Sequence, residues 1–152
     1  MNKTFKFKKS VLINCNIYEI FNFHLNTNNL PIVSPPFPIV ENIEISDIPL
    51  KLDSKVKLTL NFFLFKSDWQ LKVEELVTPS LIADLQLKGL FKYYIHRHKF
   101  SGVKEGVIMT DEIEFTPPFG FAGLIGLPFI YIQFLFMFLI RHRKTKRYFE
   151  KN

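Results

Sequence analysis

Two histidines that flank a single arginine, in the stretch FKYYIHRHKF, are the residues in this sequence most suited to chemistry. An imidazole can act as a general base near neutral pH, bind a transition metal, or form hydrogen bonds inside a fold. In a β-strand alternate side chains share a face, so Tyr94, His96 and His98 point one way. Arg97 and Lys99 point the other way and favour solvent. The pattern therefore predicts that both histidines face the interior.

Polar side chains on the neighbouring strands match this pattern. Asp84 and Gln86 share a face in LIADLQL, and Asp111 shares a face with Phe115 in TDEIEF. We therefore expect these polar groups and the two histidines to converge on one partly buried surface. The sequence leaves open whether they form hydrogen bonds within the fold, as buried polar groups must, or orient a ligand in a cavity.

A metal site and a catalytic site receive less support. His96, His98 and a carboxylate are the right ligand types for a transition metal. His-x-His also opens the metal site of cupin barrels, but here no Glu follows three or four residues after the second histidine, and no Gly-x-x-His comes later. Cys15 has no assigned base, and no nucleophile elbow, phosphate-binding loop or dinucleotide fingerprint is present. We predict no metal and no cofactor, and the sequence favours a non-catalytic protein.

Composition and charge limit the class of protein. A chain of 152 residues with 47% hydrophobic residues suits a single domain, 1–152, and its 18 Phe can fill a core or line a wide apolar cavity. The net charge of +6 is concentrated at the two ends, because residues 11–140 hold ten basic and thirteen acidic residues. This distribution argues against a nucleic-acid-binding face. One cysteine and the lack of an apolar N-terminal signal segment indicate a cytoplasmic protein.

Changes of hydrophobic period along the chain predict an α+β fold. TFKFK alternates like a strand, and residues 17–25 repeat with helical spacing after Asn16, a predicted N-cap. The proline-rich LPIVSPPFP is predicted to be a tight connection. About six strands follow with short loops, including a hairpin around Lys66–Asp68, and they form an antiparallel meander. The rest of the chain is predicted to be one long helix, the only element long enough to cover the apolar face of that sheet.

The terminal helix carries a membrane signal. Residues 119–140 contain no charge, and the basic stretch RHRKTKR follows at once. Roughly 20 apolar residues can cross a bilayer, but the glycines and Pro128 predict a helix that begins near Leu127 and keeps only about 14 apolar residues. We therefore predict that it packs on the sheet, with its outer side against a membrane surface or a second protomer. RHRKTKR is predicted to be a solvated helix end or, alternatively, a contact with anionic headgroups.

Taken in order, the motifs resemble the SRPBCC, or START-like, superfamily, and most closely its small single-domain bacterial members of the polyketide cyclase/dehydrase and lipid-transport type. The matching residues are Phe23-His24, Pro35-Pro36, Asp84, Gln86, Gly89-Leu90-Phe91, Tyr94, His96, His98, Phe100, Asp111, Ile113, Phe115, Pro118-Phe119-Gly120 and Arg141. Leu90 stands where Pro is usual and Tyr94 where Trp is common, and the final helix is more apolar than usual.

The resemblance implies a helix-grip fold: a curved antiparallel sheet of six to seven strands wrapped around a long C-terminal α-helix, with two short helices after the first strand. It implies a cavity that binds a hydrophobic small molecule or lipid. We predict from this a non-catalytic carrier or sensor. The residues predicted to line it are His24, Asp84, Gln86, Tyr94, His96, His98, Asp111 and Phe115. Two alternatives stay open because one fold hosts many functions. One is a cyclase- or dehydratase-type enzyme with His96 or His98 as general base, and the other is a membrane-tethered interaction protein that uses segment 119–140.

Overall fold

The computed structural model describes residues 3–151, in which a seven-stranded antiparallel sheet curves around a long C-terminal helix. The strands are β1 (Phe5–Ile13), β2 (Ile39–Ile45), β3 (Lys55–Asn61), β4 (Lys66–Val77), β5 (Leu81–Lys88), β6 (Tyr93–Val103) and β7 (Gly106–Thr116). The helices are α1 (Ile17–Leu25), α2 (Leu30–Val33), α3 (Phe121–Ile125) and α4 (Leu127–Glu150), with a 3-10 turn at Thr27–Asn29. This architecture confirms the predicted α+β helix-grip fold.

The order of the strands explains how residues distant in sequence meet. The sheet runs β1-β7-β6-β5-β4-β3-β2, so β2 to β7 form a meander and β1 pairs with the last strand. The connection from β1 to β2 carries α1 and α2, which contact β6 and α4 respectively. The register places His98 opposite Asp111 on β7 and His96 opposite Asp84 on β5. The polar residues of three strands are therefore direct neighbours.

The two faces of β6 differ as the alternation predicts. His96 and His98 are buried on the face toward α4. On the opposite face, Arg97 Nε donates a hydrogen bond to Glu75 Oε1 at 3.1 Å, and Lys99 is half-buried at the surface. The inward orientation of the histidines is thus fixed by the pleat of the strand.

The hairpin between β3 and β4 turns earlier than the sequence predicted. Lys66–Asp68, the predicted turn, lies within β4, and the turn is formed by residues 62–65. Phe63 occupies the left-handed region with φ 65°, and its N–H donates to Asn61 Oδ1 at 2.9 Å. The prediction was wrong because residues 62–65, FFLF, have the composition of a strand and include none of the residues that normally mark a turn.

Helix α4 begins at Leu127, as predicted, and Gly126 separates it from α3. Its buried residues are Phe134, Phe138, His142 and Thr145. Their spacing of four, four and three places them on one stripe that packs against the sheet. No helix in residues 3–151 is long and apolar enough to cross a membrane. The prediction that RHRKTKR is a solvated helix end is wrong for His142 and Thr145, which continue the buried stripe.

Two apolar clusters form the core, and the histidines lie between them. One cluster contains Ile13, Ile20, Phe21, Leu50, Val56, Val73, Ile82, Phe100, Val107 and Met109. The other contains Trp69, Tyr94, Ile113, Phe115, Phe134 and Phe138. Because Tyr94 and Phe100 of β6 belong to different clusters, His96 and His98 sit at the junction, surrounded by packed apolar side chains. Polar groups in such surroundings need partners of their own.

Candidate functional site

One buried carboxylate, Asp111, holds three histidines. From β6, His96 Nε2 and His98 Nδ1 lie 2.8 and 2.7 Å from Asp111 Oδ1. From α4, His142 Nε2 lies 2.5 Å from Asp111 Oδ2. A carboxylate accepts hydrogen bonds, so each imidazole turns an N–H toward Asp111. Burial alone would raise the pKa of Asp111, but the hydrogen bonds from His142, His96 and His98 hold it well below its usual value.

His98 connects this group to a second carboxylate. Its Nε2 lies 3.3 Å from Asp84 Oδ2 on the neighbouring strand. Burial alone would lower the pKa of His98, but its hydrogen bonds to Asp111 and Asp84 outweigh burial and raise it. Both ring nitrogens of His98 face carboxylates, which favours an imidazolium with a proton on each nitrogen.

His96 and His24 favour the neutral form instead. Burial and the neighbouring His98 lower the pKa of His96 to about 4. Burial, followed by the effects of Arg141 and His98, lowers the pKa of His24 to about 3. His24 Nδ1 lies 2.8 Å from Ile20 O, so Nδ1 carries the proton and Nε2 is an acceptor.

These histidines form part of the wall of a cavity of about 520 Å³ between the sheet and α4. Sites for drug-sized ligands span roughly 300–1,000 Å³, so the cavity is large enough for one. Much of the wall is apolar and includes Leu58, Leu71 and Met137. The exposed Phe65 and Phe129 also line the cavity, so it opens to solvent between the β3–β4 turn and the first turn of α4.

Five residues of the cavity wall have buried polar atoms with no hydrogen-bond partner among residues 3–151. The atoms are His24 Nε2, Thr27 Oγ1, Trp69 Nε1, Gln133 Nε2 and Arg141 Nε. Leaving a buried donor unpaired costs about 1–3 kcal/mol. Arg141 also has no carboxylate within ion-pair distance in the described part of the chain. The wall therefore presents donors that its own side chains do not satisfy.

The structure places five of the eight predicted lining residues on the cavity wall. They are His24, Asp84, Tyr94, His96 and His98. The other three do not line the cavity. The sequence could not show this, because strand alternation predicts which face a residue is on but not how deep it lies. Asp111 lies behind the histidines, and Phe115 is fully buried in an apolar cluster. Gln86 Nε2 donates to Phe91 O at 2.8 Å and so closes the β5–β6 turn.

Several wall and support residues were not recognised from the sequence. His142 was assigned to a solvated basic stretch, although its spacing of four from Phe138 was a signal for the buried stripe. Gln133 is a polar residue in the apolar first half of α4, and nothing in its local sequence marks it as part of a cavity wall. Trp69 lies inward on β4, and only pairing of that strand with β3 and β5 brings it to the cavity. No local pattern marks that pairing.

Asp84, His96 and His98 are the residues that could hold a metal ion, since one ligand atom of each lies within 4.8 Å of the others. With His96 Nε2 and His98 Nδ1 held by Asp111, His98 Nε2 lies 3.3 Å from Asp84 Oδ2. The raised pKa of His98 means that a metal would have to displace a favoured proton. Arg141 adds a positive charge that disfavours further cationic charge on the histidines. Hydrogen bonding suits this cluster better than metal binding.

No protein-family model and no curated protein matches the sequence. The di-domain ARO/CYC StfQ from the steffimycin biosynthetic pathway aligns with a TM-score of 0.75 and 10% identity over 97% of this chain and 51% of its own, so the chain spans about half of that protein. Major latex-like protein 151 of Panax ginseng aligns with a TM-score of 0.73 and 13% identity over 97% and 98% of the two chains. A norcoclaurine synthase point mutant of Thalictrum flavum, in complex with a transition-state analogue, aligns at 0.65 and 13% over 93% and 97%. These likenesses, at 10–13% identity, show that the chain shares its fold with these proteins.

Proposed function

We propose that the chain binds a hydrophobic small molecule or lipid that carries an acceptor or anionic group, and that it acts as a non-catalytic carrier or sensor. The observation that carries this proposal is the combination of a largely apolar cavity of about 520 Å³ with unpaired donors on its wall. Ligand sites commonly combine an apolar lining with a few polar groups that fix orientation. The similar structures include a latex-like protein and an ARO/CYC protein, which is consistent with a hydrophobic ligand in either a carrier or a cyclase.

The unpaired donors favour a ligand with oxygen acceptors. Trp69 Nε1 and Arg141 Nε are buried N–H donors, and Gln133 Nε2 is assigned as a third. A ligand carbonyl or carboxylate in the cavity would accept hydrogen bonds from them and remove the cost of leaving them unpaired. Arg141 adds a full charge, and a guanidinium binds a carboxylate with two parallel hydrogen bonds. We therefore expect the ligand to combine an apolar body with a carboxylate or a similar anionic group.

The hydrogen bonds between Asp111 and the three histidines support the same cavity, because they fix the positions of side chains on its wall. Asp111 takes one N–H from each of three imidazoles and so sets the orientation of their rings. His98 bridges to Asp84, which itself lines the cavity. Side chains that hold positions through hydrogen bonds lose little further entropy when a ligand binds. We assign Asp111 and His142 a positioning role behind the wall.

The cyclase-type alternative requires a basic nitrogen that is free and faces the substrate. Both nitrogens of His98 face carboxylates, at 2.7 Å for Asp111 and 3.3 Å for Asp84. His96 has a pKa lowered to about 4, which makes it a weak base near neutral pH. The structural similarity to a norcoclaurine synthase is an observation that favours this alternative. The arrangement of the imidazoles supports binding over general-base catalysis.

A matched pair of ligands tests the proposal. Dodecanoate and dodecanol share an apolar chain but differ in charge, so calorimetric titration of both separates apolar burial from recognition of the anion. We expect the unmodified protein to prefer dodecanoate, and Arg141→Gln to reduce that preference by about tenfold while dodecanol binding persists. Arg143→Gln is the matched control, because Arg143 is exposed two residues further along the same helix.

Three outcomes of this titration would count against the proposal. Binding of neither ligand would argue against an apolar cavity site. Equal loss of dodecanoate binding in Arg141→Gln and Arg143→Gln would show that the anion responds to the general charge of α4 and not to the cavity. Release of a chemically altered ligand after incubation would favour the enzyme alternative.

A further inference from the structure

One end of the fold carries large apolar side chains in solvent. The exposed fractions of Phe63, Leu64, Phe119, Phe121 and Phe129 lie between 74% and 96%. Single exposed apolar residues are ordinary, but a group this large on one surface marks an interaction site. These residues belong to the β3–β4 turn, the segment before α4 and the first turn of α4.

The sheet topology brings these segments to the same end. In the antiparallel pairing, Asn61 and Lys66 close the β3–β4 hairpin, while Tyr93 pairs with Thr116 at the end of β7. After β7 ends at Thr116, the chain continues into α3 and α4. Residues 62–65, 89–92 and 117–129 therefore lie at one end, and the cavity opens there between Phe65 and Phe129. We call this surface the apolar end.

The backbone of the apolar end does not favour the residues it carries. Phe63 and Phe119 have φ of 65° and 60°, a region that bulky residues rarely occupy and that favours Gly or Asn. Two-residue hairpin turns are dominated by Asn-Gly for the same reason. Turn geometry and solubility would both be improved by small polar residues at these tips. Strained backbone at exposed aromatic residues favours a functional role for their side chains.

The segments that form the apolar end carry charges of one sign. Segments 61–66, 88–93 and 116–130 contain three lysines and no Asp or Glu. Lys66 pairs with Glu41 on β2 at 2.9 Å, whereas Lys88 and Lys92 are exposed and form no ion pair within residues 3–151. Lysines beside exposed aromatic and aliphatic side chains match a bilayer surface, where anionic headgroups lie above an apolar interior.

The basic tail of α4 is not part of this surface. At about 1.5 Å per residue, Arg141 lies roughly 20 Å along the helix from Leu127. Lys144 Nζ donates to Ser34 O at 2.6 Å, and Lys146 Nζ donates to Leu12 O at 2.8 Å. These lysines bind the fold itself, which differs from the headgroup contact that the sequence suggested for RHRKTKR.

We propose that the apolar end docks on the surface of an anionic lipid bilayer, with Phe63, Leu64, Phe119 and Phe121 entering the headgroup region and Lys88 and Lys92 contacting anionic headgroups. The cavity mouth then faces the bilayer, so an apolar ligand passes between membrane and cavity without crossing water. A second copy of this chain is a poorer occupant, because symmetric docking of two apolar ends brings like-charged lysines together. The docking itself requires no ligand in the cavity.

Flotation with lipid vesicles tests this proposal on the full chain. Vesicles of phosphatidylcholine with about one quarter phosphatidylserine are compared with phosphatidylcholine alone. We expect the protein to float with the anionic vesicles, and Phe63→Asn/Leu64→Gly to weaken binding at least about tenfold. This variant is expected to fold, since Asn tolerates the positive φ found at Phe63 and Gly is unrestricted at position 64. Lys88→Glu/Lys92→Glu is expected to abolish the preference for phosphatidylserine.

The control replaces two exposed apolar residues at the opposite end. Leu52 and Val77 are 54% and 53% exposed, and Leu52→Asn/Val77→Asn is expected to leave vesicle binding unchanged. Failure of the unmodified protein to float, or equal flotation of the Phe63→Asn/Leu64→Gly variant, overturns the proposal. A dimer in analytical ultracentrifugation that this variant converts to a monomer, without vesicle binding, assigns the surface to a second copy.

The docking proposal and the ligand proposal can be tested independently of each other. Phe63 and Leu64 do not line the cavity, so the Phe63→Asn/Leu64→Gly variant is expected to bind dodecanoate with unchanged affinity. If the unmodified protein floats with vesicles but does not bind dodecanoate, the cavity function alone is contradicted. If the unmodified protein binds dodecanoate but does not float, docking alone is contradicted.

Discussion

At the scale of single residues, Asp111 organises the site without touching the cavity. Its two oxygens accept from three imidazoles at 2.5 to 2.8 Å, and the side chain has no exposure. A buried carboxylate is tolerated only when such partners are present, because an unpaired charge in an apolar interior is very costly. The three histidines therefore depend on Asp111 for their orientation as much as it depends on them for stability.

Asp111→Asn is expected to destabilise the protein strongly. The amide keeps the shape but loses the charge and turns an NH2 group toward imidazole N–H groups, so at least one buried donor loses its acceptor. We expect the free energy of unfolding in urea to fall by about 3 kcal/mol. Glu112→Gln is the matched control on the adjacent residue, where Lys99 is the partner at the surface, and it is expected to cost less than about 1 kcal/mol. Equal losses for the two variants would contradict the role given to Asp111.

At the scale of elements, the β6–β7 hairpin sets the register that brings the histidines to Asp111. Its turn contains Gly106 with φ 136°, a conformation that L side chains rarely adopt. A Cβ at this position would collide with Ile13 O at the end of β1 and lie 2.9 Å from Asn14 Cα. The same turn therefore fixes the β6–β7 pairing and the approach of β1.

Gly106→Ala is expected to cost about 1–3 kcal/mol of unfolding free energy, from the strained φ and the collision with the backbone of β1. Gly102→Ala in the same hairpin is the control, because the nearest atom to its Cβ would be Ile17 Cδ1 at 4.0 Å. That change is expected to stay within about 1 kcal/mol. Chemical denaturation of both variants is the measurement, and a tolerated Gly106→Ala would show that the hairpin register does not depend on this turn.

Period and residue type predicted the elements better than their connections. Alternation along YYIHRHKF gave the inward face of His96 and His98, and the glycines before Leu127 gave the start of α4. The β3–β4 turn was missed because residues 62–65 are apolar and have the composition of a strand, whereas the pairing of β3 with β4 makes them a turn. The burial of His142 was missed because its neighbours in the sequence are mostly charged. Its spacing of four from Phe138 has a structural meaning only once α4 packs against the sheet.

The same limit applies to the site. The sequence predicted a shared face for Asp84, His96, His98 and Asp111, and the structure brings these four together. It did not predict that Asp111 sits behind the imidazoles, since depth within a sheet depends on curvature and on the helix packed above it. The position of Trp69 beside Tyr94, with ring centroids 5.2 Å apart, likewise depends on the order of strands and not on any local pattern.

At the scale of the whole molecule, the fold is a container whose mouth lies at its most apolar end. The sheet and α4 enclose the cavity, and two apolar clusters close it on either side of the histidine group. The charge-free segment 119–140 contributes the apolar part of α4 and, together with Phe63 and Leu64 of the β3–β4 turn, the exposed residues of the apolar end.

Fluorescence of the single tryptophan tests the central claim, entry of an apolar ligand into the cavity, most directly. Trp69 is the only tryptophan of the chain and lies on the cavity wall. A bromine-labelled fatty acid quenches an indole that it contacts, so titration with this probe is expected to quench Trp69 and to saturate at one probe per chain. The control is Trp69→Phe/Tyr18→Trp, which moves the indole to an exposed position on α1. The account predicts strong saturable quenching for Trp69 and little for the moved indole; equal quenching at both positions, or none at Trp69, would contradict it.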